Sequence, residues 1–287
     1  TQQTMNRITQ IVVQIAKVLN INGPCNIQFI AKDDQVKVIE CNLRVSRSFP
    51  FVSKTLGTNF ALEATKVMMG IACANVIEPA SRIGVKVPMF SFHRLKGADI
   101  GLGVEMLSTG EVGCFGENKY EAFYKGVIAA GHKFPTQNQG VLLSIGSYGF
   151  KREFLEPARK LNQMGYQLYG TYGTSDYYND EGLNMIELPL YSTNEDNNDT
   201  ILDYLANGKI GLVVNISKKN KIRCVENSRT DGYKMRRASV ENDVTLLTDI
   251  KFAKMFVSTM AHVEQLAYVP IRSEIDCFAN YDVVRLP

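Results

Sequence analysis

The spacing of apolar positions near the start of the chain changes from a helical period to strand alternation. Residues 2–20 repeat apolar side chains at helical intervals, and Asn22-Gly23-Pro24 predicts the end of that helix. Two alternating runs, 26–30 and 35–41, follow on either side of Lys32-Asp33-Asp34, which is typical of a tight turn. The pattern therefore predicts a helix followed by an antiparallel β-hairpin.

The next part of the chain contains two more predicted helices and a glycine-rich region. Residues 60–69 predict a helix that ends at Gly70. Short apolar runs with many glycines across 82–116 predict strands and loops, and residues 120–130 predict a helix that is closed by Gly131.

A different pattern begins after residues 134–140, where short apolar runs alternate with helical segments. Strands alternating with helices of this length indicate a doubly wound parallel sheet. The predicted strands are 140–145, 166–169, 185–188, 210–215 and 244–247, and the predicted helices are 151–164, 199–207 and 250–264. The polar stretch 193–199 predicts a surface loop, and 268–287 loses its periodicity.

Length and composition restrict the class of protein. A length of 287 residues predicts two domains, and we place their boundary between residues 135 and 140. With 45% hydrophobic residues and a formal net charge of +3, the chain is neither disordered nor a polyanion binder by composition. It starts at Thr1 without a signal-peptide pattern, so we expect a segment of a longer chain. We predict no membrane span and no nucleic-acid partner.

The cysteines and histidines do not form a recognisable metal site. The 6 cysteines are widely scattered without a C-x-x-C pair, and the 3 histidines have no ligand-like spacing to them. We therefore expect free thiols in a reducing compartment and no zinc.

The end of the predicted hairpin concentrates oxygen donors and arginines. Glu40, Asn42 and Arg44 are spaced two apart, so a strand would place them on one face. Gln28 on the partner strand would share that face. A carboxylate with two amide oxygens suits magnesium, and Arg44 and Arg47 would neutralise phosphate. From the spacing alone, a solvated hairpin edge with ordinary polar residues is the favoured interpretation.

This region resembles a known family. Gln28 and the run 38–54, which contains Glu40-Cys41-Asn42-Leu43-Arg44, closely resemble the end of an ATP-grasp domain of carbamoyl phosphate synthetase large chains. Residues 84–92 and 106–112 fit the same family, and the likeness is greatest to the second ATP-grasp unit.

The resemblance implies a reaction and a role for each site residue. It implies that Gln28, Glu40 and Asn42 bind catalytic magnesium or manganese, and that Arg44 and Arg47 lie beside the transferred phosphate. ATP is then a substrate, and carbamate, derived from bicarbonate, is phosphorylated to carbamoyl phosphate. The family's lid and adenine-binding strands would precede residue 1, so we expect the isolated chain to be inactive.

A second constellation lies in the predicted parallel sheet, where ligands bind beyond the carboxyl ends of strands. The loops 146–151, 170–176 and 215–219 carry hydroxyls and turn N–H groups that suit an anion. Lys151 and the pair Arg236-Arg237 would add positive charge. Simple helix capping by the threonines is the alternative interpretation.

These loops resemble methylglyoxal-synthase-like domains, which are the regulatory ends of carbamoyl phosphate synthetase large chains. By that resemblance Lys151, Thr171 and Thr174 line an effector pocket, and in the pyrimidine branch a uridine nucleotide inhibits while phosphoribosyl pyrophosphate activates. We take four further residues as effector-site candidates: Ser175, Asn215, Arg236 and Arg237.

The predicted fold class is therefore α/β, with two different parts. Residues 1–135 are predicted as the C-terminal piece of an ATP-grasp domain, mixed α+β with antiparallel strands. Residues 140–264 are predicted as the methylglyoxal-synthase-like doubly wound parallel sheet, and 265–287 as a linker toward a dihydroorotase domain.

Three functions remain open at this point. Residues 273–277 and 283–287 resemble the link to dihydroorotase in the multifunctional pyrimidine branch. That branch implies glutaminase and aspartate carbamoyltransferase domains in the same polypeptide, a cytoplasmic location and a homo-oligomer. A urea-cycle, ammonia-dependent synthetase regulated by N-acetylglutamate is the alternative. A methylglyoxal synthase-type lyase is remote, because Asn215 stands where that enzyme has an aspartate.

Two further short motifs are present in the sequence. Arg236-Arg237-Ala238-Ser239-Val240 matches a basophilic kinase motif, although a packed segment of the domain would hide Ser239. Lys218-Lys219-Asn220-Lys221 predicts a solvated loop.

Overall fold

The computed structural model describes residues 1–72, 83–94, 100–101, 106–191, 200–217 and 230–263. The predicted loop at 193–199, the lysine-rich stretch 218–221 and the predicted linker 265–287 lie outside the described residues. Within the described ranges, no helix combines the length and the apolar character needed to cross a bilayer.

The chain folds as two compact units that divide between Gly84 and Val85. The packing therefore divides the chain earlier than the interval 135–140 that we predicted from the change of pattern. The reason is that the segment after Val85 packs with the parallel sheet. The rings of Phe123 and Phe252, for example, lie 5.2 Å apart. The assignment of residues 1–135 to one functional domain remains a prediction.

The first unit begins with a helix and the predicted hairpin. Its described elements are α1 (Gln2–Val18), β1 (Asn26–Lys32), β2 (Gln35–Asn42), α2 (Phe49–Leu56) and α3 (Phe60–Met68). Strands β1 and β2 pair antiparallel, as predicted. The turn places Asp33 at φ 50° and Asp34 at φ 58°. Two consecutive positive φ values are characteristic of a type I′ hairpin turn, which aspartate tolerates.

Helix α2 was not predicted from the pattern. It starts after Ser48, and Pro50 lies in its first turn. Proline is tolerated there because the first N–H groups of a helix have no intrahelical acceptor.

No residue between 1 and 72 is fully buried. Large apolar side chains remain open to solvent on α1, on the hairpin and on α3, including Val18 at 82%, Ile39 at 61% and Met68 at 64% exposure. This unit therefore has apolar surface that its described residues do not cover.

The second unit starts with a two-stranded sheet and a helix that pack onto the larger sheet. Strand β3 (Ile83–Met89) pairs with β4 (Gly110–Gly116), and α4 (Lys119–Ala129) follows. The ring of Phe134 stacks on that of Phe256 at 4.4 Å. The hydroxyl of Thr245 is hydrogen bonded to both the backbone N–H and the carbonyl of Lys133, each at 2.8 Å.

The five predicted strands form one parallel sheet with the order β7-β6-β5-β8-β9. They are β5 (Gly140–Ile145), β6 (Leu168–Gly170), β7 (Met185–Glu187), β8 (Ile210–Ile216) and β9 (Thr245–Leu247). The order reverses between β5 and β8, which is the position where open α/β sheets bind ligands. The predicted doubly wound sheet is thus confirmed.

The helices around this sheet include some that the sequence analysis predicted and some that it missed. The single helix predicted over 151–164 is divided in the structure into two helices, α5 (Tyr148–Glu153) and α6 (Leu155–Gln163). Helices α7 (Tyr172–Asp180) and α9 (Asp231–Glu241) were not predicted, whereas α8 (Ile201–Ala206) and α10 (Ile250–Val263) were.

Both faces of the sheet are covered. One apolar cluster joins alternate residues of β5 and β8, such as Val141 and Val214, to Phe154 and Phe256. The other joins Leu142 and Val213 to the α8 and α9 side of the sheet. Strands buried on both faces explain the continuous apolar runs in the sequence.

Candidate functional site

The hairpin brings the predicted metal-binding residues together. Gln28 lies directly opposite Glu40 in the β1–β2 ladder, so their side chains leave the same face. The Asn42 side-chain amide donates a 2.8 Å hydrogen bond to Oε1 of Glu40. The three oxygen-bearing side chains therefore form one group at the end of the hairpin.

Asn26 belongs to the same face, although the sequence analysis missed it. It lies directly opposite Asn42, two residues before Gln28. The register shifts between Gln28 and Phe29, so β2 has one extra residue there. A bulge at this point changes the direction of the neighbouring side chains. Strand alternation places residue 26 on the same face as Gln28, and this was the signal in the sequence that could have identified Asn26.

The two arginines lie in the loop that follows β2. The Nη1 of Arg44 donates a 3.3 Å hydrogen bond to the carbonyl of Val45. Arg44 and Arg47 are both exposed, in the loop that enters α2. The structure thus places them after the oxygen cluster in the chain but does not lock their guanidinium groups against Glu40.

The donor set fits a hard divalent cation that completes its shell with phosphate and water. One exposed carboxylate and neighbouring amide oxygens are suited to magnesium or manganese, which keep several external ligands. Within the described residues, no group of three His, Cys, Asp or Glu side chains forms an all-protein cage.

The second site is built at the carboxyl ends of β5, β6 and β8. Thr174, on α7, is 2% exposed. Its hydroxyl accepts a 3.1 Å hydrogen bond from the N–H of Ile145 and one of 3.2 Å from the Thr171 hydroxyl. Thr174 therefore joins the end of β5 to the loop after β6.

Ser175 and Lys151 complete this side of the site. The Ser175 hydroxyl donates to the carbonyl of Tyr172 at 2.9 Å and is buried, so its role is to hold the turn. The Nζ of Lys151 donates to the carbonyl of Gly173 and lies 5.9 Å from the ring centroid of Tyr177. The structure thus brings Lys151, Thr171, Thr174 and Ser175 together.

On the other face of the sheet, β8 and α9 supply a buried polar pair. Nη1 of Arg236 donates to the side-chain oxygen of Asn215 at 3.0 Å and to the Ser217 hydroxyl at 3.2 Å. Asn215 is 3% and Arg236 6% exposed. A Cβ on Gly232 would lie 3.2 Å from the same Nη1. Gly232 thus leaves room for the arginine at the start of α9.

Arg237 is directed elsewhere. Its Nε donates to Glu241 at 2.6 Å, and its Nη1 donates to the carbonyl of Phe92 at 3.2 Å. The effector-site role predicted for Arg237 stays a prediction, while its contacts show a packing role between α9 and the segment after β3. Ser239 of the kinase motif is fully buried, and its hydroxyl donates to Met235 at 2.7 Å.

A cavity of about 560 Å³ lies along the edge strand β9, and none of the predicted site residues lines it. It is largely apolar and is lined by Phe90, Phe252, Leu246 and His132 among others. Burial lowers the pKa of His132.

Comparison with known protein families gives two matches. Residues 1–76 match the family described as carbamoyl-phosphate synthase L chain, ATP binding domain. Residues 153–248 match the MGS-like domain family. The first match contains the hairpin cluster, and the second contains Thr171, Thr174, Asn215 and Arg236.

Similar proteins cover the whole chain. Multifunctional protein CAD of Squalus acanthias is 45% identical over 100% of this chain and 13% of its own length. Multifunctional protein URA2 of Saccharomyces cerevisiae is 43% identical over 99% of this chain and also 13% of its own length. The mitochondrial carbamoyl-phosphate synthase (ammonia) of Homo sapiens is 38% identical over 91% of this chain and 18% of its length.

The chain therefore spans about an eighth of the multifunctional relatives. A methylglyoxal synthase structure from Elizabethkingia anophelis matches 42% of the chain with a TM-score of 0.32 and 13% identity, which is too weak to support an argument. The two family matches and the similarity over the whole of this chain agree with each other and with the two parts of the fold. The chain belongs to the carbamoyl-phosphate synthase large-chain family, with a segment of the ATP-binding domain at its start and an MGS-like domain at residues 153–248.

Proposed function

We propose that this chain is part of a synthetase that uses ATP to phosphorylate carbamate to carbamoyl phosphate. The observation that carries the proposal is the cross-strand pair Gln28–Glu40 with Asn42 bonded to Glu40. A bound magnesium or manganese ion would neutralise charge on the transferred phosphate. Arg44 and Arg47 would bind and orient phosphate oxygens through their guanidinium groups.

We further propose that the 287-residue chain alone makes no carbamoyl phosphate. Residues 1–72 bury no side chain completely. A catalytic site for phosphoryl transfer has to exclude water and position two substrates. The test is a carbamoyl phosphate assay on the purified chain with ATP, bicarbonate and ammonia. Sustained synthesis that Glu40→Gln abolishes would contradict the proposal.

The second unit is proposed to be an effector-binding domain. Lys151 and Arg236 bring positive charge to loops at the switch point of the sheet, and Thr171 adds a hydroxyl donor. These groups suit a ligand rich in phosphate oxygens. We therefore assign a uridine nucleotide as inhibitor and phosphoribosyl pyrophosphate as activator, as the family resemblance implies.

A lyase acting on a phosphorylated triose is disfavoured by the site. Such chemistry needs a carboxylate to move protons at the substrate. The buried polar side chain beneath Arg236 is the amide of Asn215, which accepts a hydrogen bond and has no proton-transfer role. An effector site has only to bind its ligand, and the groups of this site suit a ligand with phosphate oxygens.

The pyrimidine branch is proposed over the urea-cycle branch because the multifunctional relatives are more similar to the chain, at 45% against 38% identity. The proposal includes a cytoplasmic location and a homo-oligomeric full-length protein. It also includes glutaminase, dihydroorotase and aspartate carbamoyltransferase domains in the same polypeptide.

Calorimetric titration of the full 287-residue chain tests the regulatory assignment. We expect saturable binding of uridine triphosphate and of phosphoribosyl pyrophosphate, lost in Lys151→Ala. The matched control is Lys209→Ala. Lys209 also has its Nζ over a tyrosine ring, 4.2 Å from the centroid of Tyr204, but it is not one of the predicted effector-site residues. Binding of N-acetylglutamate alone would move the chain to the urea-cycle branch. If none of the three ligands binds, the proposed regulatory function is refuted.

A further inference from the structure

Two tyrosines beside the effector site are unusually exposed. Tyr148 is 70% and Tyr172 is 72% exposed, which makes them the most exposed tyrosines in the part of the chain that the structure describes. An exposed aromatic ring does not gain the stabilisation that burial normally gives to aromatic side chains. Their common location therefore calls for a functional reason.

Both tyrosines begin helices that start at the anion site. Tyr148 is the first residue of α5, three residues before Lys151, and Tyr172 is the first residue of α7, next to Thr171. Each ring is thus attached to the backbone close to a predicted effector-site residue. We call Tyr148, Tyr172 and Tyr177 the aromatic rim.

Contacts hold one ring of the rim in place. The rings of Tyr148 and Tyr177 meet almost perpendicularly, at 84° and 5.4 Å between centroids. Tyr177 in turn packs against the buried Tyr178 at 5.2 Å. The perpendicular contact restrains the Tyr148 ring while most of its surface stays open to a ligand.

The rim is also continuous with the cationic part of the site. Nζ of Lys151 lies 5.9 Å from the Tyr177 centroid and donates to the carbonyl of Gly173. A phosphate bound by Lys151 would therefore leave the rest of its molecule beside the aromatic rings. Every nucleobase has a π-face that stacks on such rings.

We propose that the aromatic rim stacks the base of a nucleotide whose phosphates bind at Lys151 and Thr171, with Tyr148 and Tyr172 as the stacking residues. The inference rests on the proposed effector site and deepens it, because it assigns separate residues to the base and to the phosphates. A ligand without a base, such as phosphoribosyl pyrophosphate, then uses the phosphate part only. The rim thereby discriminates between the two effectors.

The experiment compares three probes on the full chain by calorimetry: uridine triphosphate, inorganic triphosphate and phosphoribosyl pyrophosphate. The decisive variant is the double substitution Tyr148→Ala with Tyr172→Ala, and the single variants assign the contribution of each ring. We expect the double variant to bind uridine triphosphate at least ~10-fold more weakly. Inorganic triphosphate and phosphoribosyl pyrophosphate should bind as they do to the unmodified chain.

Two controls separate stacking from structure. Tyr148→Phe with Tyr172→Phe keeps both rings and should keep the nucleotide affinity. Tyr191→Ala removes another exposed tyrosine of the second unit, at 48% exposure, and should change nothing. A thermal unfolding curve for each variant confirms that these surface changes leave the fold intact.

The outcomes are distinguishable. If the unmodified chain binds none of the probes, the effector site and the inference both fail. If it binds all three and the double alanine variant weakens them equally or not at all, the effector site stands and the aromatic rim does not.

Discussion

Nη1 of Arg236 donates a 3.0 Å hydrogen bond to the side-chain oxygen of Asn215, which joins helix α9 to the buried strand β8. The pair orients a cation at the switch point of the sheet, and the acceptor that Asn215 offers is an uncharged amide. A carboxylate in the same place would form an ion pair and leave less positive charge for a ligand.

The substitution Asn215→Asp therefore tests whether the positive charge of Arg236 contributes to ligand binding. We expect the variant to fold, since aspartate still accepts from Arg236, and to bind uridine triphosphate at least ~10-fold more weakly. A unit charge about 5 Å from a phosphate costs about 3 kcal/mol at an effective dielectric constant of 20, part of which Arg236 screens. Calorimetry measures the affinity.

The matched control is Asn162→Asp, which adds the same charge to an exposed position of α6. Affinity for uridine triphosphate should then stay within about twofold. Equal affinity of Asn215→Asp and the unmodified chain would show that ligand does not bind near Arg236.

Gly170 is required by the packing at the end of β6. A Cβ there would lie 2.5 Å from Sδ of Met185 and 3.1 Å from the backbone nitrogen of Ser175. We expect Gly170→Ala to lower the free energy of unfolding by about 1–3 kcal/mol, the usual cost of overpacking. Urea denaturation followed by circular dichroism provides the measurement.

Gly149→Ala is its control, because nothing lies within 4 Å of a Cβ built on Gly149 in α5. Alanine in a helix should instead raise the free energy of unfolding by about 0.5–1 kcal/mol. Equal stability of the two variants would mean that the backbone around Gly170 relaxes freely.

The burial of His132 predicts that the stability of the second unit depends on pH. Burial lowers its pKa below the usual value, so the folded state favours the neutral ring. The unfolded state then binds more protons, and the free energy of unfolding must fall as pH is lowered through the ordinary histidine range near 6.5. The His132 ring lies 5.8 Å from that of Phe252, tilted by 47°, and His132 lines a cavity together with Asp243 and Asp249.

We expect His132→Phe to flatten this pH dependence between about pH 7.5 and 5.5. Thermal unfolding at a series of pH values measures it. Parallel curves for the variant and the unmodified chain would show that another group controls the acid sensitivity.

Ser239 should not be a phosphorylation site in the folded protein. Its side chain is fully buried within α9, and its hydroxyl is bonded to the carbonyl of Met235. A kinase needs its substrate serine in an accessible, extended segment. A basophilic kinase should label a synthetic peptide of residues 233–243 but leave the folded chain unlabelled at that position, as determined by mass spectrometry. Stoichiometric labelling of the native chain would contradict the packing of α9.

The sequence by itself determined the strands and the chemistry of the hairpin. The five strands of the parallel sheet were predicted because each is a short apolar run, as burial on both faces requires. Alternation within β2 was enough to place Glu40 and Asn42 on one face. Local geometry carries this information, since strand alternation has a period of two residues. Gln28 shares that face only because of the register shift next to it, since regular pairing from the turn would set Gln28 opposite Ile39.

Only the tertiary structure decided the relations between distant segments. It showed that α4 packs with α10, and that Arg236 meets Asn215 while its neighbour Arg237 turns to Phe92. Helices α7 and α9 escaped the sequence analysis because they are polar and anchored by tertiary contacts rather than by a strong apolar period. The physical reason is that packing between elements far apart in sequence selects which side chains meet, and no local spacing records that choice.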